Sequence, residues 1–357
     1  MIVLTIGSDR SLFQPSRAQK RVASYGGLFT RMFIVVFTPR GFREGAISQN
    51  VEMVPTNSSS RLRYVWDAYR KAVAIIRGLR EEERRLLIIS AQDPFESGLA
   101  AWLTARAFGL PLQVQIHTDF MSPWFRRESF LNRIRYYLGR CIVGRASSVR
   151  VVSERIQGSI ERLTTGPVAV LPIWSNLASI RPVNDETFSV LMVTRLTREK
   201  NVSLALRAFA SFLRAGGTGI LTIVGDGPMK ESLRKEADTL GLAESVVFTG
   251  WRDDPSSWYA KADVFLVTSN YEGWNIGAYD AARAGIPVVM TDVGLAGEVV
   301  KDGENGLVVP VGNETAIAAA LLNVYRNEAH LIPREISGMS FEQYLEAYRR
   351  VMEQSMV

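Results

Sequence analysis

Two carboxylates eight positions apart, Glu272 and Asp280, sit in the stretch 269–289, SNYEGWNIGAYDAARAGIPVV. An apolar run at 264–267 precedes it and another at 287–290 closes it. Between the acids, Gly273, Trp274, Asn275 and Ile276 lead into a short helix rich in small residues. The amides and dipole at such a helix start make an anion site. A carboxylate only accepts hydrogen bonds, and it can take two hydroxyls at once. Two cations, Arg195 and Lys200, stand in 193–202, VTRLTREKNV. A lysine near a helix start opposes the helix dipole unless an anion is present. The plain alternative for Lys200 is a solvated charge.

The run 223–230, IVGDGPMK, places Gly225 and Gly227 after an apolar segment. Lys230 occupies the place of the third glycine of a dinucleotide fingerprint, which argues against a nicotinamide cofactor. Pro228 suits a first helical position. His117 is one of two histidines and is followed by Thr118 and Asp119. A lone histidine at a strand end is commonly structural, but the neighbouring acid suits it to a site. His330 is assigned no role. No phosphate-loop motif is present, and no His, Cys or acid cluster has metal-ligand spacing. The expected metal is none and the expected cofactor is none.

These residues need elements to position them. Short β-branched runs alternate with helical patterns, which predicts an α/β chain with two parallel sheets. Strands are expected at 2–6, 33–37, 86–89, 112–116, 149–152 and 168–171, then at 189–193, 220–224, 246–248, 264–267, 288–290 and 307–309. In open α/β sheets ligands bind beyond the carboxyl ends of the strands. The unusual residues fall there: 7–10, Gln92 and Asp93, His117, Arg195, Gly225 and Gly227, Trp251 and Arg252, and Glu272. The segment 172–183 holds Pro172, Trp174, Asn176 and Pro182 and reads as a linker. Ser340, three residues before Gln343, is a capping box for a last helix.

The 269–289 stretch resembles the nucleotide-sugar signature of glycosyltransferase family 4, the group 1 glycosyl transferases. The likeness is clear over 185–312 and traceable over 86–155. It implies the GT-B fold, two Rossmann-like domains facing across a cleft. The domains then run 1–180 on the acceptor side and 181–335 on the nucleotide-sugar side, with 336–357 a helix crossing back to the first. The likeness implies a metal-independent, retaining hexosyltransferase whose donor is a nucleotide-diphosphate sugar. Arg195 and Lys200 would hold the diphosphate, whose leaving oxygen gains negative charge as the glycosidic bond breaks. Glu272 would take the donor sugar's hydroxyls, and His117 the sugar or its phosphate. These four are the expected catalytic residues. Gly225, Gly227, Trp251, Arg252, Gly273, Trp274, Asn275, Ile276 and Asp280 complete the expected donor site. The family has Glu where this chain has Asp280, whose side chain reaches about 1.5 Å less. The other reading of Asp280 is a capping or solvated acid. The Gly-Gly loop common after the family's first strand is also absent. Both departures leave room for a non-catalytic partner subunit; a separate alternative is an epimerase or hydrolase of nucleotide sugars.

The chain has 357 residues and a net charge of +6. Residues 1–180 hold 25 Lys+Arg against 13 Asp+Glu, and 181–357 hold 17 against 23. One half is therefore expected to meet something anionic. No nucleic-acid module accompanies the charge, so nucleic acid is not an expected partner. The stretch 124–141 is basic and aromatic, with Phe130, Ile134, Tyr137, Leu138 and Cys141 at 3/4 spacing and Arg126, Arg127, Arg133, Arg135 and Arg140 among them. As one helix it can lie on an anionic bilayer; the alternative is a helix with its apolar side in the core. No run reaches the ~18 apolar residues of a membrane span. The run 1–6 is too short for a signal-peptide core. A single cysteine, Cys141, excludes an intramolecular disulfide and fits a reducing compartment. The expected location is cytoplasmic and peripheral on the inner face of the plasma membrane, with a glycan or lipid-linked acceptor.

Overall fold

The computed structural model describes residues 1–175, 177, 180, 183, 187–333, 336 and 338–356. Asn176 and Pro182 of the expected linker lie outside the described residues. The chain divides into two units: 1–121, 129–172 and 339–357 form the first, and 122–128 with 173–338 form the second.

The first unit begins β1 (Ile2–Gly7), α1 (Arg17–Gly26), β2 (Arg31–Val36), β3 (Gly45–Ser48) and β4 (Val51–Pro55). It continues through α2 (Tyr64–Gly78), α3 (Glu81–Arg85), β5 (Leu87–Ala91), α4 (Glu96–Phe108) and β6 (Leu112–Ile116). After α5 (Pro123–Glu128), which belongs to the second unit, come α6 (Phe130–Val143), β7 (Ser148–Val151), α7 (Glu154–Ile160) and β8 (Val168–Val170). The sheet order is β3-β4-β2-β1-β5-β6-β7-β8. Every pair is parallel except β3 with β4. That edge hairpin was not expected from the sequence. Its strands, GAIS and VEMVP, are short and carry Pro55, which weakens any strand signal. Central strands such as IVLTIG are buried along their whole length, as strands covered on both faces must be.

Right-handed crossovers place α2, α4 and α6 on one face of this sheet, with α2 against α4 and α4 against α6. The other face carries α1 and the terminal helix α13 (Phe341–Glu353). The Ser340–Gln343 capping box starts α13. Tyr25 of α1 stacks on Tyr348 at 4.6 Å between ring centroids. Arg150 of β7 is buried beneath α13. It donates to Tyr344 Oη at 2.8 Å, to Gln115 Oε1 at 2.9 Å and to the carbonyl of Leu171. A buried guanidinium is tolerated there because these acceptors satisfy its N–H groups.

The second unit holds β9 (Ser189–Val193), α8 (Val202–Arg214), β10 (Ile220–Val224), α9 (Lys230–Thr239), β11 (Val246–Gly250), α10 (Ser256–Tyr259) and β12 (Val264–Val267). Then follow α11 (Ile276–Arg283), β13 (Val288–Thr291), β14 (Gly306–Val309) and α12 (Glu314–Tyr325). Its order is β11-β10-β9-β12-β13-β14, all parallel. The chain moves outward from β9 to β11, then returns to β9's other side with β12. The carboxyl ends of β9 and β12 therefore flank the topological switch point, where such sheets bind ligands. The core beneath is Val190, Met192, Phe209, Phe212, Leu221, Ile223, Leu266 and Ile317, all buried.

The 124–141 stretch is two helices, not one. Ser129 ends the first and caps the second, accepting from the amide of Asn132 at 3.0 Å. The 3/4-spaced row does not face the core either. Phe130, Ile134, Tyr137 and Cys141 are exposed, while Asn132, Gly139, Ile142 and Val143 are buried. No helix among the described residues is long and apolar enough to cross a membrane.

Candidate nucleotide-sugar site

Lys200 and Glu272 meet at the switch point of the second unit. Lys200 lies in a single 3-10 turn between β9 and α8, and Glu272 in the loop after β12. Lys200 Nζ donates to Glu272 Oε1 at 2.6 Å, with side-chain exposures of 13% and 8%. The same oxygen accepts from Ser269 Oγ at 2.8 Å and from Asn275 Nδ2 at 2.9 Å. Glu272 Oε2 accepts from none of the described residues. One carboxylate oxygen is thus fully engaged in holding the loop, and the other remains for a ligand.

The two loops are sewn together. Thr268 Oγ1 donates to the carbonyls of Lys200 and Asn201. The Asn270 amide donates to the Glu199 carbonyl at 2.8 Å, and Asn201 Nδ2 to Asn270 Oδ1 at 3.0 Å. Asn201 and Asn275 both have positive φ, 47° and 77°, and both cap the helix that follows. Asparagine tolerates that region and its side chain supplies the cap. Asn275 Oδ1 accepts from the Ala278 amide at 2.9 Å, so α11 starts directly beside Glu272.

Arg195 follows β9 and is exposed; it pairs with Glu199 Oε1 at 3.2 Å. Glu199 also accepts from Thr197 Oγ1 at 2.6 Å. Gly225 and Gly227 serve the Arg195 loop. A Cβ at Gly225 would stand 1.8 Å from the Thr194 carbonyl oxygen, and one at Gly227 2.4 Å from that of Leu196. Leu196 donates its amide to the Asp226 carbonyl at 2.9 Å. The glycines thus let two backbones lie against each other. Gly277 is close-packed to a lesser degree, since its Cβ would meet the Val193 carbonyl at 2.9 Å.

Asp280 lies one turn into α11 and is buried, with Oδ1 unpartnered among the described residues. It is not a solvated acid. Burial pushes it up to about 6, against the lowering pull of the Ser175 hydroxyl and of Arg283. Trp274 is also buried, its indole Nε1 without a described acceptor. Gly273 is buried and Ile276 exposed. Trp251 is exposed after the edge strand β11 and donates to Asp253 at 3.3 Å. The guanidinium of Arg252 lies 5.7 Å from the Trp258 ring. Neither touches Lys200 or Glu272 in any described contact.

His117 belongs to the first unit, at the end of β6. Burial holds its pKa down to about 3, helped by the charges of Arg150 and Arg21, so the ring is neutral at physiological pH. Its Nδ1 is buried and unpartnered among the described residues. Asp93, after β5, is raised by burial; it accepts from the Phe95 amide just before α4 and from Ser97 Oγ within its first turn. No group of three or more His, Cys or acidic residues among the described residues is placed to hold a metal ion. Sequence reasoning missed Ser269, Asn270, Glu199 and Asn201. The signal for the first two was their place in the Glu272 loop, and for Glu199 its position between the cations.

Two family models match the chain. Glycosyl transferases group 1 matches residues 176–336, and the glycosyl transferase 4-like domain matches 30–174. The chain is 30% identical over 148 residues to the poly(glycerol-phosphate) alpha-glucosyltransferase of Bacillus subtilis, covering 41% of this chain and 22% of that one. It is 28% identical over 238 residues to the alpha-D-kanosaminyltransferase of Streptomyces kanamyceticus, covering 60% and 62%. Each match spans less than two thirds of the relative. Among solved structures, the apo lipopolysaccharide outer core galactosyltransferase WaaB superposes with a TM-score of 0.73 at 18% identity, over 99% of both chains.

Proposed function

The chain belongs to the group 1 glycosyl transferases and has the GT-B fold, and on that premise we propose that it moves a sugar from a nucleotide-diphosphate sugar to a glycan or lipid-linked acceptor. The setting proposed is cell-envelope or polysaccharide synthesis, in keeping with the relative named for poly(glycerol-phosphate). One observation carries the reading. At the switch point, a carboxylate with one engaged and one open oxygen is joined to a part-buried lysine at the start of two helices.

In the proposed reaction Glu272 Oε2 accepts from donor-sugar hydroxyls. Arg195, Lys200 and the first amides of α11 receive the diphosphate. The bond from the anomeric carbon to the diphosphate oxygen breaks, and the acceptor oxygen bonds to that carbon on the same face. The acceptor's proton passes to the departing diphosphate. Configuration is retained without a protein nucleophile, and no metal is required because fixed cations meet the leaving charge. His117, neutral, serves as a hydrogen-bond partner of the sugar or its phosphate. The buried Asp280 suits a ribose hydroxyl, which would give its Oδ1 a donor. The enzyme is further proposed to work in the cytoplasm, peripherally on the anionic inner face of the plasma membrane.

The test is a thermal-shift screen against UDP, GDP, dTDP and ADP, followed by turnover of matching nucleotide sugars with and without acceptor. A ligand that binds only the native state raises the melting temperature. One nucleoside diphosphate is expected to stabilise the chain, and acceptor-dependent transfer is expected from its sugar. No stabilisation by any nucleotide would point to a partner subunit. Free sugar released equally with and without acceptors would point to a hydrolase.

A further inference from the structure

We propose that the carboxyl edge of the α2–α4–α6 layer in the first unit is the bilayer-docking surface, with Leu62 and Trp66 at one end and Phe130, Leu131 and Ile134 at the other. The inference deepens the peripheral placement proposed above and rests on it.

The α2 and α6 helices each run from the carboxyl edge of the parallel sheet back toward its amino edge, on the same face, with α4 between them. Their first turns therefore stand side by side at one edge, roughly two helix spacings apart, on the order of 20 Å. Both first turns expose apolar side chains that a soluble fold has no reason to show. Leu62 is 95% exposed, on the 3-10 turn Arg61–Arg63 that leads into α2, and Trp66 is exposed one turn on. Phe130 is 74% exposed as the first residue of α6, and Leu131, Ile134 and Tyr137 are exposed behind it.

The charges around them are mostly basic, and the acids there, Asp67 and Glu96, are each paired with an arginine, Arg63 and Arg135. Leu62 lies between Arg61 and Arg63, and Arg70 is exposed one turn beyond Trp66. The α6 sequence FLNRIRYYLGRCIV carries three arginines and no acid. Arg61, Arg70 and Arg133 form no ion pair among the described residues. Arg63 reaches only Asp67, at 3.6 Å. A protein partner would place acids against such a surface one by one. A bilayer of anionic lipid rewards any arrangement of cations near its plane and buries apolar tips between headgroups. Trp66 and Tyr137 suit the headgroup level, where aromatic rings with a polar atom concentrate. The excess of 25 basic over 13 acidic residues in 1–180 has the same complement.

The experiment is co-sedimentation of the full chain with vesicles of phosphatidylcholine alone and of phosphatidylcholine with phosphatidylglycerol, at low and high salt. Three variants are compared: Leu62→Ser with Trp66→Ser, Phe130→Ser with Ile134→Ser, and Arg61→Gln with Arg133→Gln. Each arginine removed is expected to lower partitioning about fivefold at low salt. Each apolar pair is expected to lower it about tenfold or more and to leave the salt dependence in place. Stabilisation by the nucleoside diphosphate should be unchanged in all three, which separates this proposal from the transferase reading. Equal binding to neutral and anionic vesicles, or wild-type partitioning in both serine variants, would overturn it. So would a concentration-dependent dimer abolished by the same variants, since the face would then be covered by a second copy.

Discussion

Lys200 and Glu272, 72 residues apart in sequence, form one part-buried ion pair at the switch point of the second sheet, 2.6 Å from nitrogen to oxygen. The pair links the end of β9 to the end of β12, and so ties the proposed phosphate contact to the proposed sugar contact. Removing one member leaves the other charge mostly buried and unpaired, a change that costs at most about 3–5 kcal/mol, less where water still reaches Lys200. Lys200→Ala and Glu272→Ala should each lower urea-unfolding stability by amounts of that order. The double variant Lys200→Met with Glu272→Leu should recover most of it, while remaining inactive. Recovery of activity along with stability would show the pair to be purely structural.

Glu272→Gln keeps a side chain of the same length but weakens every hydrogen bond made to the carboxylate. Turnover should fall by roughly 10²-fold, the scale of a lost transition-state contact. Affinity for the bare nucleoside diphosphate should change little. Isothermal calorimetry beside initial-rate kinetics reads both quantities. Full turnover would remove the central assignment.

Replacing Gly225 by Ala puts a methyl group 1.8 Å from the Thr194 carbonyl, so the Arg195 loop must move. The strain should cost about 1–3 kcal/mol in stability. Binding of the nucleoside diphosphate should weaken more than binding of the nucleoside, because the displaced loop carries Arg195, the proposed phosphate contact. Arg195→Ala should show the same selectivity with little loss of stability, since Arg195 is exposed. Equal losses for diphosphate and nucleoside would place this loop outside the phosphate site.

Asp280 has a folded pKa of about 6, above the ordinary 3.8. The folded state therefore holds a proton that the unfolded chain gives up, and stability falls as pH rises from about 4 to about 6. Above that window the penalty is constant, at most about 3 kcal/mol. Asp280→Asn should be more stable than wild type above pH 6 by part of that amount, and the advantage should vanish near pH 4. If ribose donates to Asp280, nucleotide binding should release protons between pH 4 and 6, measurable by calorimetry in buffers of different ionisation enthalpy. Proton uptake there would contradict the contact.

His117 is neutral at every pH above about 4, because burial and two arginines oppose its charge. His117→Asn should lower turnover, yet wild type and variant should show the same pH profile between 5 and 8. A rate inflection near pH 6.5 that disappears in the variant would mean that the ring titrates in the working enzyme.

The strands of both sheets were legible in the sequence because central parallel strands are buried on both faces and read as unbroken apolar runs. The edge hairpin of β3 and β4 was not, since short strands at an edge bury too little to leave a pattern. The residues at the strand ends, Arg195, Lys200 and Glu272 among them, could be named from type and position, because strand ends are where an α/β sheet presents side chains. The tertiary structure alone decided which of them touch. That Lys200 grips Glu272 and Arg195 turns to Glu199 depends on β12 returning beside β9, a choice of sheet order that no local spacing encodes. The fate of Asp280 was likewise decided by packing: the same acid on the same helix is solvated or buried according to what covers α11. In α6 the sequence supplied the apolar row, and only the sheet beneath determined that Asn132, Gly139 and Ile142 face inward while Phe130 and Ile134 face out.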